Sequence, residues 1–193
     1  MSTAAAPWYD AHVPGRPTPP GSTYTVLMDF ISPEMAASFR AIYQDEKDEA
    51  LWETGQRVAP GYSRLNLMAY LAASDERRRF IERTQARLAR HIDAAPGEWN
   101  DCWLLRYLPG AGIRDHVDPV PGRDAAPNTR YRLNVLLTHP DAGGDLFIEG
   151  RPVHLNQHDG IVFSSGSLIH RVEPTRGLRL VLSLGMTGPK EAP

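Results

Sequence analysis

Arg106-Tyr107-Leu108-Pro109-Gly110-Ala111-Gly112-Ile113-Arg114-Asp115-His116-Val117-Asp118 is the stretch on which the fold of this chain turns. The apolar run that enters it stops at a Pro/Gly turn, and a new extended segment should begin beyond it. Residues two apart in an extended segment point to the same side, so His116 and Asp118 present an imidazole and a carboxylate together. Ser164-Ser165-Gly166-Ser167 breaks the chain again just before His170, a third ligand candidate that a neighbouring strand would supply. Both histidines are expected near strand starts at one rim. Two neutral imidazoles and one carboxylate leave three adjacent positions of an octahedral metal open. That arrangement suits non-haem Fe(II) and lets it take a co-substrate and O2 together.

The run His170-Arg171-Val172-Glu173-Pro174-Thr175-Arg176-Gly177-Leu178-Arg179 reads as two extended pieces around a hairpin loop at Pro174 to Gly177. Pairing Glu173 with Leu178 sets Val172 opposite Arg179, which makes Arg179 a diagonal neighbour of His170 in the same cavity. A guanidinium at the inner end of a pocket grips a carboxylate bidentately and stays charged when desolvated. It would anchor a dicarboxylate whose other end chelates the metal, and 2-oxoglutarate has that shape.

These residues resemble the Fe(II)/2-oxoglutarate-dependent dioxygenases, and most closely the prolyl 4-hydroxylase-like branch. The resemblance runs from about residue 101 to 187, through Arg106 to Gly110, His116-Val117-Asp118, Tyr131 to Thr138, Gly143 to Phe147, Asp159 to Phe163, and His170 to Arg179. It implies that His116, Asp118 and His170 ligate the metal, that Arg179 anchors 2-oxoglutarate and that Tyr107 assists the anchor. Arginine stands where some prolyl hydroxylases have lysine, which leaves the co-substrate unchanged but weakens the case for a prolyl substrate. The implied reaction is oxidative decarboxylation of 2-oxoglutarate by O2, giving succinate, CO2 and a hydroxylated C–H bond, with ascorbate as a candidate reductant. Related halogenases have a small residue where Asp118 stands, so the resemblance favours hydroxylation or desaturation over chlorination. DNA-repair members carry a second arginine six residues after the anchor, where this chain has Gly185.

The rest of the chain sets the frame. Tyr131, Leu133, Val135 and Leu137 form one apolar face of a strand, with Arg132, Asn134 and Thr138 on the other. Leu180, Leu182, Leu184 and Met186 repeat the pattern against Arg179, Val181 and Ser183. Asn134, Thr138 and Ser183 become secondary co-substrate candidates, although polar positions in half-buried strands need no ligand to explain them. From Trp99 onward short extended runs alternate with Pro/Gly turns, and helical periodicity is absent. Before it, Tyr24 to Phe30 reads as a strand. Ser32-Pro33-Glu34 caps a helix running to about Asp48, Ser63 to Tyr70 is extended, and Ser74-Asp75-Glu76 caps a helix carrying Phe80, Ile81, Leu88 and Ile92. The expected architecture is mainly β with N-terminal helices: a double-stranded β-helix, or jelly roll, with helices packed on one sheet. Residues 1–22, rich in Ala, Pro and Gly, form a flexible tail, and 23–193 form one dioxygenase domain with its metal and co-substrate core at 99–187.

A chain of 193 residues that is 41% hydrophobic can bury one sizeable core, and a net charge of −2 with no basic run argues against a nucleic-acid partner. No segment approaches the apolar length of a membrane span, and residues 1–22 lack the n- and h-regions of a signal peptide. The single cysteine, Cys102, excludes an intramolecular disulfide framework and suits a reducing cytoplasm. His12, His91, His139, His154 and His158 lie at strand ends, turns or exposed positions and read as bystanders. Arg114, Arg123, Arg132 and Arg151 near the mouth could meet an acidic or amino-acid-like substrate, and the small chain favours a compact small molecule over a protein side chain. The oligomeric state is open. A reading of another class is a cupin-like barrel that binds metal or sugar without turnover. Arg179 separates the two, because a binding module has no need of a buried cation beyond its last ligand.

Overall fold

The structure, a computed structural model, describes residues 24–54, 60–91, 99–119 and 128–189. The expected tail at 1–22, Ile92 and the turn at Ala95 to Gly97, and Arg123 lie outside the described residues.

Alternation of apolar and polar residues is what sorts the strands into layers. In chain order the elements are β1 (Tyr24–Leu27), α1 (Pro33–Asp45), a 3-10 turn (Glu49–Leu51), β2 (Trp52–Glu53), β3 (Tyr62–Asn66), α2 (Met68–Ala72) and α3 (Asp75–His91). Described elements beyond these are all strands: β4 (Trp99–Tyr107), β5 (Ile113–His116), β6 (Asn128–Thr138), β7 (Ala142–Gly143), β8 (Leu146–Ile148), β9 (Arg151–Val153), β10 (Gly160–Phe163), β11 (His170–Val172), β12 (Thr175–Arg176) and β13 (Arg179–Pro189). They form a seven-stranded sheet in the order β1-β10-β6-β13-β4-β3-β2, a four-stranded sheet in the order β5-β11-β8-β9, and the small pair β12-β7. The pairs within both larger sheets are antiparallel. The fold is a double-stranded β-helix with helices on its larger sheet.

Each long strand divides its side chains between two cores, as its alternation requires. Leu133, Val135 and Leu137 of β6 and Leu180, Leu182, Leu184 and Met186 of β13 join Phe39 and Ile42 of α1 and Ile81 and Leu88 of α3. Leu105 and Tyr107 of β4, Leu136 of β6 and Val181 of β13 turn the other way, toward Leu146, Ile148 and Val172 of the smaller sheet. The second cluster is the wall of the barrel interior.

Three local expectations need correction. The helix at Pro33 ends at Asp45 rather than near Asp48, because Asp48 caps the 3-10 turn, its Oδ1 accepting from Ala50 N at 2.9 Å. Ser63 to Tyr70 is not extended throughout: Asn66 Oδ1 accepts from Met68 N at 2.9 Å and starts α2. The segment after His170 is not a hairpin. β11 pairs with β5 and β8 in the smaller sheet, whereas β13 pairs with β4 and β6 in the larger one. Between them Thr175 and Arg176 pair with Gly143 and Ala142, so the chain crosses from one sheet to the other instead of turning back.

That crossing depends on Gly143, which has φ 67°, and a Cβ there would overlap the Pro174 carbonyl oxygen. Left-handed strain and a backbone collision each cost roughly 1 to 3 kcal/mol. Gly143→Ala is therefore expected to lower the unfolding free energy by roughly 2 to 6 kcal/mol, read from the urea midpoint at unchanged m-value.

Candidate metal centre

His116 closes β5 and His170 opens β11, and the two are register partners across the smaller sheet. The expectation that both stand at strand starts fails for His116, which sits at a strand end; antiparallel pairing is what brings an end beside a start. Asp118 follows two residues later, with its N–H donating to the Ser165 carbonyl at 2.8 Å. One ligand atom from each of His116, Asp118 and His170 lies within 4.8 Å of the others. The two imidazole centroids are 4.1 Å apart, and His116 Nε2 is 3.7 Å from Asp118 Oδ1.

The rings are oriented by the backbone. His116 Nδ1 lies 2.8 Å from the Arg114 carbonyl oxygen and His170 Nδ1 3.0 Å from that of Leu168. A carbonyl can only accept, so each neutral ring carries its proton on Nδ1 and keeps the Nε2 lone pair for a metal. Burial, with the nearby His116, pushes the His170 pKa down to about 4, so this ring is neutral at physiological pH. Burial alone would raise the Asp118 carboxyl, but the charge and hydrogen bond of Arg132 and the nearby His170 hold it below the ordinary aspartate range. Two imidazoles and a carboxylate form a donor set that fits a divalent transition metal.

The depressed histidine has a consequence for the metal-free protein. An unfolded histidine takes up its proton near pH 6.5, and folded His170 resists it until about 4. The unfolded state binds more protons in that window, so stability is lost as pH falls from 6.5 toward 4, by on the order of 3 kcal/mol. Urea midpoints of metal-stripped protein should decline across this range, and the decline should flatten in His170→Ala.

The centre opens into a cleft lined by the three ligand candidates together with Tyr62, Arg64, Trp103, Leu105, Tyr107, Ile113, Arg132, Asn134, Leu146 and Val172. Tyr107 and Asn134 are therefore brought to the same space as the triad, and Asn134 Oδ1 is buried without a hydrogen-bond partner. Arg179 is not the neighbour of His170 in one sheet. It comes from the larger sheet, beside Tyr107, and lines an adjoining cavity that shares Leu146 with the cleft. Its guanidinium carbon lies 4.9 Å from the centroid of the Tyr107 ring, and Arg179 Nε, fully buried, has no hydrogen-bond partner. Ser183 is covered: its Oγ accepts from Arg132 Nη1 at 3.0 Å. Thr138 lines neither cavity, because the β6–β13 register slips beside it.

Of the four arginines expected at the mouth, Arg114 and Arg151 are exposed on the smaller sheet and Arg132 is taken up by Asp118. Arg64 lines the cleft instead, stacked 4.4 Å over the Trp103 ring and paired with Glu53 at 2.9 Å. Tyr62, Arg64 and Trp103 were not legible as site residues. The extended character of the chain from Ser63 was visible, but the pairing of β3 with β4 was not.

No family model matches the sequence, and no curated protein matches it. Solved structures do. A prolyl-4-hydroxylase from Pseudomonas putida is 20% identical, with 89% of this chain and 95% of that chain covered and a TM-score of 0.58. The viral collagen prolyl hydroxylase of Paramecium Bursaria Chlorella virus-1, solved with 2-oxoglutarate, is 16% identical over 87% of this chain and 97% of its own, at a TM-score of 0.64. HygX from Streptomyces hygroscopicus, with nickel and 2-oxoglutarate bound, is 15% identical over 88% of this chain and 84% of its own, at 0.60. A further structure of HygX also holds hygromycin B. The chain thus shares the double-stranded β-helix fold of prolyl hydroxylases and HygX across most of its length.

Proposed function

We propose that the protein is an Fe(II)- and 2-oxoglutarate-dependent dioxygenase that hydroxylates or desaturates a C–H bond of a small molecule. The observation that carries this reading is the convergence of one nitrogen from each of two imidazoles and one carboxylate oxygen within 4.8 Å, beside a cavity that reaches a buried, incompletely bonded arginine. Iron bound there would supply the redox chemistry that couples O2 to oxidative decarboxylation. For hydroxylation the balance is one C–H substrate, one O2 and one 2-oxoglutarate giving one alcohol, one succinate and one CO2.

The chain's own residues have definite tasks in this scheme. His116 and His170 are held with Nε2 free by the Arg114 and Leu168 carbonyls. Arg179, which stays protonated despite burial, would bind the distal carboxylate of 2-oxoglutarate, with the Tyr107 ring against its guanidinium. Leu105, Ile113, Leu146 and Val172 line the cleft and limit water there. Tyr62, Arg64 and Trp103 form the wall that would meet the substrate.

The test is anaerobic addition of Fe(II) and 2-oxoglutarate to the full chain. A weak visible metal-to-ligand charge-transfer band is expected, followed by succinate release on admitting O2. Folded, metal-loaded protein without the band would return the chain to the metal-binding-module reading. Succinate release stimulated by peptides but not by small molecules would reassign the substrate to a protein side chain.

A further inference from the structure

We propose that Arg132 is a positioning residue for the metal centre, holding the Asp118 carboxylate so that Oδ1 alone is offered to the cation. The inference rests on His116, Asp118 and His170 being metal ligands.

Arg132 stands on the inward face of β6, in a row with Gly185 of β13 and Asp101 of β4. Its guanidinium is pinned at several points. Nε donates to Asp118 Oδ2, Nη1 donates to Ser183 Oγ at 3.0 Å, and Nη1 also lies 3.7 Å from Asp101 Oδ1. Asp101 is held from its other side by Arg130, whose Nη2 pairs with Oδ2. A Cβ at Gly185 would overlap Asp101 Oδ1 and come within 2.9 Å of Arg130 Nη2, so glycine is what makes room for this cluster.

Asp118 is thereby fixed at both ends. Its backbone N–H is bound to Ser165 O at 2.8 Å, and its Oδ2 is bound to Arg132. The remaining oxygen, Oδ1, is the one beside His116 Nε2 at 3.7 Å. A planar guanidinium can hold a carboxylate and a hydroxyl in one fixed arrangement, whereas an ammonium is a point donor on a flexible stem. Ligand orientation by such partners governs metal affinity as well as ligand identity does.

Two effects oppose each other. The Arg132 charge repels an incoming cation, but its hydrogen bond removes the need to reorganise Asp118. The positioning role predicts that the second effect wins, and Arg132→Lys separates them because it keeps the charge and loses the fork. Co(II) is the probe, titrated into metal-stripped full-length protein and read by its d–d absorption, with circular dichroism as the fold control.

Arg132→Lys is expected to bind Co(II) about 10- to 100-fold more weakly than wild type, with a changed d–d intensity as Asp118 becomes free to ligate through both oxygens. Arg132→Met should also be weaker. Binding of folded Arg132→Lys within about threefold of wild type, or tighter binding by Arg132→Met, would mean that charge alone matters and would overturn the proposal. Should both variants fail to fold, the crystal structure of Co(II)-loaded wild type decides: Oδ1 alone on the metal with Oδ2 still on Arg132 supports it, and bidentate Asp118 or a displaced Arg132 overturns it. Wild type that binds no Co(II) would instead remove the metal reading on which the inference rests.

Discussion

His170→Ala is expected to abolish turnover and to weaken Fe(II) binding by more than about 100-fold, because losing a ligand exceeds the 10- to 100-fold that losing a ligand's hydrogen-bond partner costs. His170 is the most buried histidine among the described residues, wedged edge-on against Phe163 with ring centroids 5.1 Å apart and tied by Nδ1 to Leu168 O. The fold should survive the change. The imidazole is desolvated, and burial holds its pKa down to about 4, so at neutral pH alanine removes no buried charge. What alanine leaves is a small void at the cleft floor beside Phe163. Anaerobic equilibrium dialysis with Fe(II) and circular dichroism on the same samples separate the two effects. A folded variant that keeps wild-type iron affinity would take His170 out of the site and assign the binding to other donors.

The layered β architecture was readable because period-two alternation is a property of each strand alone. Odd residues of β6 and even residues of β13 face the helices, and Arg132, Asn134, Arg179 and Ser183 lie on the other side, as their parity requires. Which strands adjoin is a non-local matter, and there the reading failed. Pro174 to Gly177 has the composition of a hairpin loop, yet Thr175 is held by Gly143, more than thirty residues earlier in the chain, and the path leaves the smaller sheet. Tertiary pairing overrode local turn chemistry. Thr138 was misplaced by a register irregularity between Leu180 and Val181, and a single such slip turns a side chain away from the cavity.

The same distinction applies to the site. His116, Asp118 and His170 announce themselves by residue type and spacing, because few donor sets leave an open face on a metal. Arg132 was visible as an inward-facing cation, but its use was not. Its partners Asp118, Asp101 and Ser183 come from three other segments, and only the folded sheet reveals that its charge is spent inside the cluster. Arg64 replaced it at the mouth through the β3–β4 pairing and the Trp103 ring.

Arg179→Met is expected to weaken 2-oxoglutarate binding by roughly 30-fold to several-thousand-fold, the effect of about 2 to 5 kcal/mol for truncating one partner of a buried charge pair. Metal affinity should be unchanged, since Arg179 lines the adjoining cavity and not the metal cleft. Arg179→Lys keeps the charge but loses the bidentate fork, so it should fall between the two, and Tyr107→Phe, which keeps the ring under the guanidinium, should cost least. Titration of 2-oxoglutarate into anaerobic Fe(II) protein, followed by the charge-transfer band, orders the series. Stability should move the other way. Without co-substrate Arg179 is a desolvated cation, only 4% exposed, with an unbonded Nε and a pKa lowered chiefly by burial. Replacing an incompletely paired buried charge by an apolar side chain of similar volume is commonly neutral or stabilising. Metal-free Arg179→Met should therefore melt at or above the wild-type temperature while losing its co-substrate, which is the pattern of a residue kept for binding. A variant that melts well below wild type and still binds 2-oxoglutarate would mean that Arg179 serves the barrel rather than the reaction.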